Sequence, residues 1–399
     1  MSLLRQIAFG LRTQGLAYIR RWPRNELWNP RQRLTPHLRA AIIAAREGVC
    51  GRDEGEPAWS EGCLQLVHDL GAAPVTFDFA GYLAAAEVER RRRGLAGINV
   101  VFVAGPFNGV REELQDYERA RDVEARHWRI RHILLPMLAF LPSVRGYAYC
   151  ASREQARALA ATDPGKLYPS DYRVFLPRHP SKRALFEHAR TGGEVWPLLR
   201  ATPRGIRLAA QYLQRVAHGR RAIVITLRLN DFAPERNSRT AEWRRFADGL
   251  DEKRYAVVFV PDTETLARDG PPAVGRHLVC EAACWSLEFR MGLYERAWLN
   301  MGTMNGPLEL CWYNEKVRYV AFLELAADNV EMRRLIEESG LTVNANLAFA
   351  RPWQRLVWAG DHFEVIRGEF EDMERALAAV TANARPVLGA TGIGAASSR

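Results

Sequence analysis

The chain has 399 residues, an apolar fraction of 48% and a formal net charge of +10. That length favours two cores of ordinary size over one, and no apolar run approaches the roughly 18 to 20 residues that span a bilayer. Six scattered cysteines form no closely spaced framework, and the amino terminus lacks the apolar core and cleavage site of a secretory signal. A disulfide-built secreted fold is thereby excluded and a cytoplasmic place expected.

The positive excess reads as dispersed, with arginines in Glu89–Arg93 and around Ala125–His132 rather than in one tail interleaved with aromatics. That argues against nucleic acid as a partner and leaves anionic lipid or phosphorylated small molecules. Cys280 and Cys284 have helical spacing with no histidine pair beside them, so they are expected as buried small residues and no metal is assigned.

In chain order, Ser2–Arg21 carries Leu4, Ile7, Leu11 and Tyr18 on one helical face and its arginines largely elsewhere. This is a basic amphipathic helix, packed on its own domain or docked peripherally on an anionic membrane surface, with Pro23 and Pro30 ending it. A first α/β region follows: a strand Val75–Phe79, a helix Tyr82–Arg93, a strand Ile98–Ala104, a helix Leu114–Phe140, a strand Val144–Cys150 and a helix Arg153–Ala161. Strands alternating with helices at this spacing predict a parallel sheet. The proline- and glycine-rich stretch Thr162–Pro203 is expected to connect two lobes, and a helix Ile206–Ala217 enters the second.

The second lobe is patterned more plainly. Strands are predicted at Ala222–Leu227, Tyr255–Val260, Trp298–Met301 and Val317–Phe322, with helices at Ala241–Leu250, Leu287–Ala297 and Phe370–Val380. The resulting division is an amino-terminal helix (1–30), a first α/β domain (31–200), a Rossmann-like second domain (201–385) and a disordered tail (386–399).

Three stretches of the second lobe converge on one sheet edge. Arg228 ends a strand and opens a polar loop to Arg236, Asn237 and Ser238, a cradle in which guanidinium forks and helix amides share phosphate oxygens. Ser238 reads equally as a helix cap. Asp262 ends the next strand, placed either to take a ribose hydroxyl or to cap a helix. Thr303, Asn305, Gly306 and Pro307 then form a turn in which glycine admits a ligand and proline opens a helix whose amino terminus would face an anion.

This order of strand, arginine-bearing loop, tryptophan-containing helix, strand ending in Pro261-Asp262 and Asn305-Gly306-Pro307 turn resembles the donor lobe of two-Rossmann-domain (GT-B) glycosyltransferases. Within them it is similar to the heptosyltransferase-like arrangement and to bacterial proteins associated with surface polysaccharides. The resemblance implies an α/β fold of two parallel sheets facing a central cleft. It also implies a nucleotide-sugar donor as substrate with no cofactor, a glycan or lipid-linked acceptor, Arg228, Asn305, Gly306 and Pro307 at the donor phosphates, and Asp262 near the nucleoside. The turn departs from heptosyltransferases, which carry an acidic and a hydroxyl residue before Gly-Pro and a histidine after; here Met304-Asn305 precede and Leu308-Glu309-Leu310 follow.

Sugar transfer requires a proton acceptor for the attacking hydroxyl and positive charge for the departing diphosphate. Asp78, in Phe77-Asp78-Phe79-Ala80-Gly81, reads as that base, its pKa raised among aromatics, or as the cap of the next helix. Asp361 reaches the cleft if the terminal helix crosses back to the first lobe. No Asp-x-Asp pair that would hold a metal on a sugar diphosphate occurs in the chain, so metal-independent transfer is expected. A nucleotide-sugar epimerase and a non-catalytic binding or scaffold protein remain alternatives on the same fold.

Overall fold

The computed structural model describes residues 16–30, 32–51, 61–113, 115–161, 163–326 and 329–383. The tail Pro386–Arg399 and, up to residue 15, the helix read at Ser2–Arg21 lie outside the described residues. Helix α1 (Leu16–Trp28) runs through Pro23 instead of ending there; proline withholds one main-chain donor, and the turns on either side keep theirs. Helix α2 (Thr35–Cys50) follows, burying Thr35, Arg39 and Ile43. The Arg39 guanidinium pins it to the far end of the first lobe by donating to Asp171 Oδ2 (2.9 Å) and to the carbonyls of Asp171 and Pro177.

The first sheet comprises β1 (Cys63–Asp69), β2 (Gly97–Val103), β3 (Val144–Cys150) and β4 (Leu167–Tyr168), all parallel in the order β3-β2-β1-β4. Between β1 and β2 runs α3 (Phe79–Arg92), and α4 (Val123–Arg129) lies between β2 and β3. The predicted strand Val75–Phe79 is a loop whose turns lead into α3, with Ala80 N bonded to Phe77 O at 2.9 Å. A true inner strand, β1, is disguised by polar residues, of which Gln65 and Asp69 find partners inside while His68 has no hydrogen-bond partner among the described residues. The Gln65 amide bonds Ala161 N (2.7 Å) and Leu159 O, while the Asp69 carboxylate takes Gly71 N (2.9 Å), Tyr172 Oη (3.0 Å) and Arg153.

The long helix predicted at Leu114–Phe140 is broken. Asp122 caps a fresh start by accepting from Ala125 N (2.8 Å), and a π turn at Ile130–Leu134 precedes Pro136, which has no N–H for the carbonyl of His132. The stretch 162–203 is not wholly a connector, because β4 lies within it and joins the first sheet. After β4 come α5 (Arg183–Arg190) and α6 (Pro203–Ala217).

The second sheet is larger, with β5 (Arg221–Thr226), α7 (Thr240–Asp248), β6 (Tyr255–Val260), α8 (Thr263–Asp269), β7 (Leu278–Val279) and α9 (Leu287–Arg296). Then follow β8 (Leu299–Thr303), the single turn α10 (Gly306–Glu309), β9 (Tyr319–Phe322), β10 (Gln354–Val357) and α11 (Phe363–Asn383). The strands are parallel throughout, in the order β10-β9-β8-β5-β6-β7. The chain is thus an α/β protein of two parallel sheets.

Apolar side chains of β5, β6 and β8 meet α7 and α11 on one face, through Trp243, Phe246, Phe370 and Met373. Helix α11 therefore packs on its own lobe and does not cross to the first. On the opposite face α6 and α9 lie so close that a methyl on Gly292 would stand 2.2 Å from the carbonyl oxygen of Gly205. One core runs continuously through both lobes, joining Phe79, Leu134 and Leu185 to Leu287, Leu308 and Tyr313. Among the described residues no helix is long and apolar enough to cross a membrane.

Candidate functional site

Parallel strands deliver their following loops to one edge, and the loops of the two sheets meet there around a cleft of about 480 Å³. The first lobe contributes Thr76, Phe77 and Asp78 ahead of α3, with Trp128 and Arg129 of α4. The second contributes Arg228, Asn230 and Arg236 after β5, Asp262 and Glu264 after β6, Arg290 of α9, and Met304 to Pro307 after β8.

Between the lobes stands Lys182. Its ammonium donates to Asp78 Oδ1 of the first lobe at 2.8 Å and to Glu309 Oε1 of the second at 2.6 Å, and Tyr313 Oη also donates to that Glu309 oxygen at 3.0 Å. Gly81 makes the approach possible, since a methyl there would meet Tyr313 Oη at 2.7 Å and Lys182 Cδ at 2.8 Å. Burial pushes the Asp78 carboxyl up, but the charge and hydrogen bond of Lys182, with the Thr76 hydroxyl, outweigh it and hold the group down at about 2. The raised value expected for Asp78 is thereby reversed, and its side chain makes no helix-capping bond. Glu309 moves the other way: burial raises its pKa, and Lys182 offsets this only in part.

The arginines of the cleft divide by partner. Arg121 and Arg129 both face Glu264, which burial nevertheless leaves with a raised pKa. Arg228, buried, spends its guanidinium on the loop it opens, donating to the carbonyls of Phe232 (2.6 Å) and Ala233 (2.9 Å) and to Asn237 Oδ1. Burial, with Arg236 beside it, pushes Arg228 down to about 10. Arg236 is lowered by burial as well. Arg290 is different. It is only 3% exposed, its Nε donates to Ala283 O at 2.6 Å, and its Nη2 has no hydrogen-bond partner and no carboxylate in ion-pair contact among the described residues. A buried guanidinium left without an anion is costly.

The residues singled out from the sequence separate accordingly. Asp78, Arg228, Arg236, Asp262, Asn305, Gly306 and Pro307 line the cleft; Asn237, Ser238 and Thr303 stand behind its wall. Ser238 Oγ accepts from Arg228 N (2.8 Å) and donates to Thr303 Oγ1 (3.0 Å), which donates to Asp361 Oδ2 (2.8 Å). Ser238 thus ties β5 to β8 rather than capping α7. Asp361 is 2% exposed and also receives Arg239 N (2.9 Å) and Trp243 Nε1 (2.6 Å), so it is enclosed in the second lobe and does not reach the cleft.

Asp262 caps α8 through Glu264 N (3.3 Å). Asn305 uses its side-chain oxygen on Leu308 N (2.9 Å), and the helix it caps is one turn long before a tighter 3₁₀ turn takes over. The extended helix dipole expected behind the turn is therefore missing. Gly306 instead allows contact between lobes: a methyl there would lie 2.6 Å from Phe77 Cδ2.

Sequence reasoning missed Lys182, Glu309 and Arg290. Lys182 carries a signal, being one of only four lysines in a chain with 52 arginines. Glu309 follows the turn directly. Arg290 sits on a helix among apolar neighbours and has no local mark.

No family model matches the chain, and no curated protein matches it. Among solved structures, it is similar to a glycosyl transferase family 9 protein of Veillonella parvula DSM 2008 at 12% identity and a TM-score of 0.47, over 79% of this chain and 97% of that one. It is also similar to the ADP-heptose LPS heptosyltransferase II of E. coli at 12% identity and a TM-score of 0.45, over 80% and 99%.

Proposed function

We propose that the chain is a glycosyltransferase that takes a sugar from a nucleotide-activated donor to a glycan or lipid-linked acceptor in surface polysaccharide synthesis. The observation that carries the reading is Arg290, a buried cation in the cleft whose Nη2 has no hydrogen-bond partner among the described residues. A ligand anion is the natural complement, and a diphosphate lying between Arg290 and Arg236 would be bound by charge-assisted hydrogen bonds. Asp262 and Asn230, at the ends of β6 and β5, are then placed for the nucleoside.

In the reaction the acceptor oxygen bonds to the anomeric carbon, the bond from that carbon to the phosphate oxygen breaks, and the nucleoside diphosphate departs against the arginines. Asp78 takes the acceptor proton. It cannot do so efficiently while Lys182 holds it near 2. The arriving donor resolves this by drawing the ammonium away from Asp78 toward its phosphates, which frees Asp78 and raises its proton affinity.

The test is calorimetric titration of the purified chain with nucleoside diphosphates and nucleotide sugars, followed by product analysis. Saturable binding of one nucleotide family and a new glycoside are expected, and the reading is abandoned if no nucleotide binds. The clamp on Asp78 favours one second reading, a nucleotide-sugar-binding protein without turnover. Binding with neither a glycoside nor an isomerised donor among the products would select it.

A further inference from the structure

Beside Lys182 the cleft holds two polar atoms of opposite sense that the chain leaves unused. Glu309 ends α10 and leads into the 3₁₀ turn Leu310–Tyr313. At three residues per turn that geometry sets Trp312 over Glu309, and both line the cleft although only 3% and 7% exposed. Lys182 touches both, its ammonium 2.6 Å from Glu309 Oε1 and 6.0 Å from the centre of the Trp312 ring. Lys182 and Tyr313 both donate to Oε1, which leaves Oε2 as an acceptor without a partner among the described residues. The Trp312 indole N–H is a donor in the same position.

The wall next to them is apolar. Leu323 supplies one part, and Met332 and Ile336 of the helix Val330–Glu338, with Leu341 after it, supply the rest. All four pack in the core that contains Trp312. Gly340 brings this wall up to Lys182, for a methyl there would stand 3.1 Å from the Cα of the adjoining Arg183. A ligand group that meets an acceptor, a donor and an apolar wall together is narrowly defined. An alkyl chain covers the wall and leaves both polar atoms unpaired. A hydroxyl serves the polar atoms and leaves the wall bare. A carboxylate would stand against those of Glu309 and Asp78, which already share Lys182. A short acylamide meets all three, because it carries an N–H, a carbonyl oxygen and a methyl in one planar unit.

We propose that this part of the cleft holds an acylamino group, so that one substrate is an N-acylated amino sugar. Its amide N–H donates to Glu309 Oε2, its carbonyl oxygen accepts from Trp312 Nε1, and its methyl lies on the wall of Met332, Ile336 and Leu341. The proposal rests on the glycosyl-transfer reading in that it takes the cleft as a sugar site, and it adds the kind of sugar. A site built around such groups discriminates, since an analogue without them leaves buried polar atoms unpaired.

The experiment is titration of the full chain by calorimetry, with ligand-observed NMR for weak binding. Two pairs of probes are compared: N-acetylglucosamine 1-phosphate against glucose 1-phosphate, and the methyl glycosides of the same two sugars with UDP present. A preference of at least about tenfold for the acetamido compound is expected. Confined to the 1-phosphates, it assigns the group to the donor's sugar; carried by the methyl glycosides, it assigns the group to the acceptor's. Trp312→Phe removes the N–H and keeps an aromatic ring. Glu309→Gln keeps the oxygen that Lys182 and Tyr313 hold and puts an amide nitrogen where Oε2 stands. Both variants are expected to bring the ratio close to one, with thermal midpoints showing folded protein, and Glu309→Gln decides alone if Trp312→Phe does not fold. The proposal is overturned by a ratio near one for both pairs in the parent, by no binding of any probe, or by variants that weaken both members of a pair equally. Nucleoside diphosphate binding is scored separately. A diphosphate bound with a ratio near one leaves the glycosyl-transfer reading standing and this inference fallen, and a tenfold ratio with no diphosphate bound does the reverse.

Discussion

Two polar clusters of the second lobe, one behind the cleft wall and one within it, follow opposite rules. Around Asp361 the accounts close: the carboxylate receives the Arg239 backbone and guanidinium, the Trp243 indole and the Thr303 hydroxyl. Around Arg290 they do not, for a guanidinium equally enclosed keeps an open donor and meets no carboxylate among the described residues. A closed network rigidifies the fold, whereas an open one of like burial leaves room for charge from outside. The same rule separates Arg228, whose three bonds organise its own loop, from Arg290 and Arg236.

The contrast breaks most visibly at Asp361. Asp361→Ala strips the acceptor from four buried or half-buried donors and should lower the unfolding free energy by about 3–5 kcal/mol, read from urea melts. A loss under about 1 kcal/mol would show that these donors find other partners and that the network is not what holds β8 to α7. Arg290→Met should do the reverse. Nucleoside diphosphate affinity falls by about 1.5–3 kcal/mol, roughly ten- to a hundredfold, while the urea midpoint stays level or rises because an unpaired buried charge is gone. Unchanged affinity with a lower midpoint would place Arg290 beside Asp361 as a structural residue.

Asp78 sharpens the comparison with a smaller, pH-dependent effect. Its folded pKa of about 2 lies below the ordinary 3.8, so its ionised form favours the folded chain. The advantage over Asp78→Asn is fully present above about pH 4 and is lost as the pH falls through about 2. Thermal midpoints of both proteins across that range measure it. A difference that does not change with pH would show that Lys182 does not hold the carboxylate in solution.

The larger lobe was legible because β5 and β6 are continuous apolar runs and their loops break at arginine and at Pro261-Asp262. The first lobe was less so. Its inner strand β1 holds Gln65, His68 and Asp69, whose polarity masks a strand that is buried along its whole length. Pattern reading prices such residues as surface, while Gln65 and Asp69 find partners far along the chain, at Ala161 and at Arg153 and Tyr172. The cleft was found through its turn, yet the role expected of that turn changed, because Asn305 is consumed by its own cap. Lys182 and Arg290 matter through what surrounds them in space, and no window of sequence contains that.

Gly306 has a consequence for how wide the cleft can be. Its α-hydrogen is what separates the β8 turn from the ring of Phe77, and a methyl would stand 2.6 Å from that ring where carbon atoms rest at about 3.5–4.0 Å. Gly306→Ala is therefore a shim of about one ångström set between two jaws, and Gly306→Val a thicker one. A series of such shims, scored against ligands of increasing girth, would turn the aperture of this cleft from an inherited constant into a setting that can be dialled.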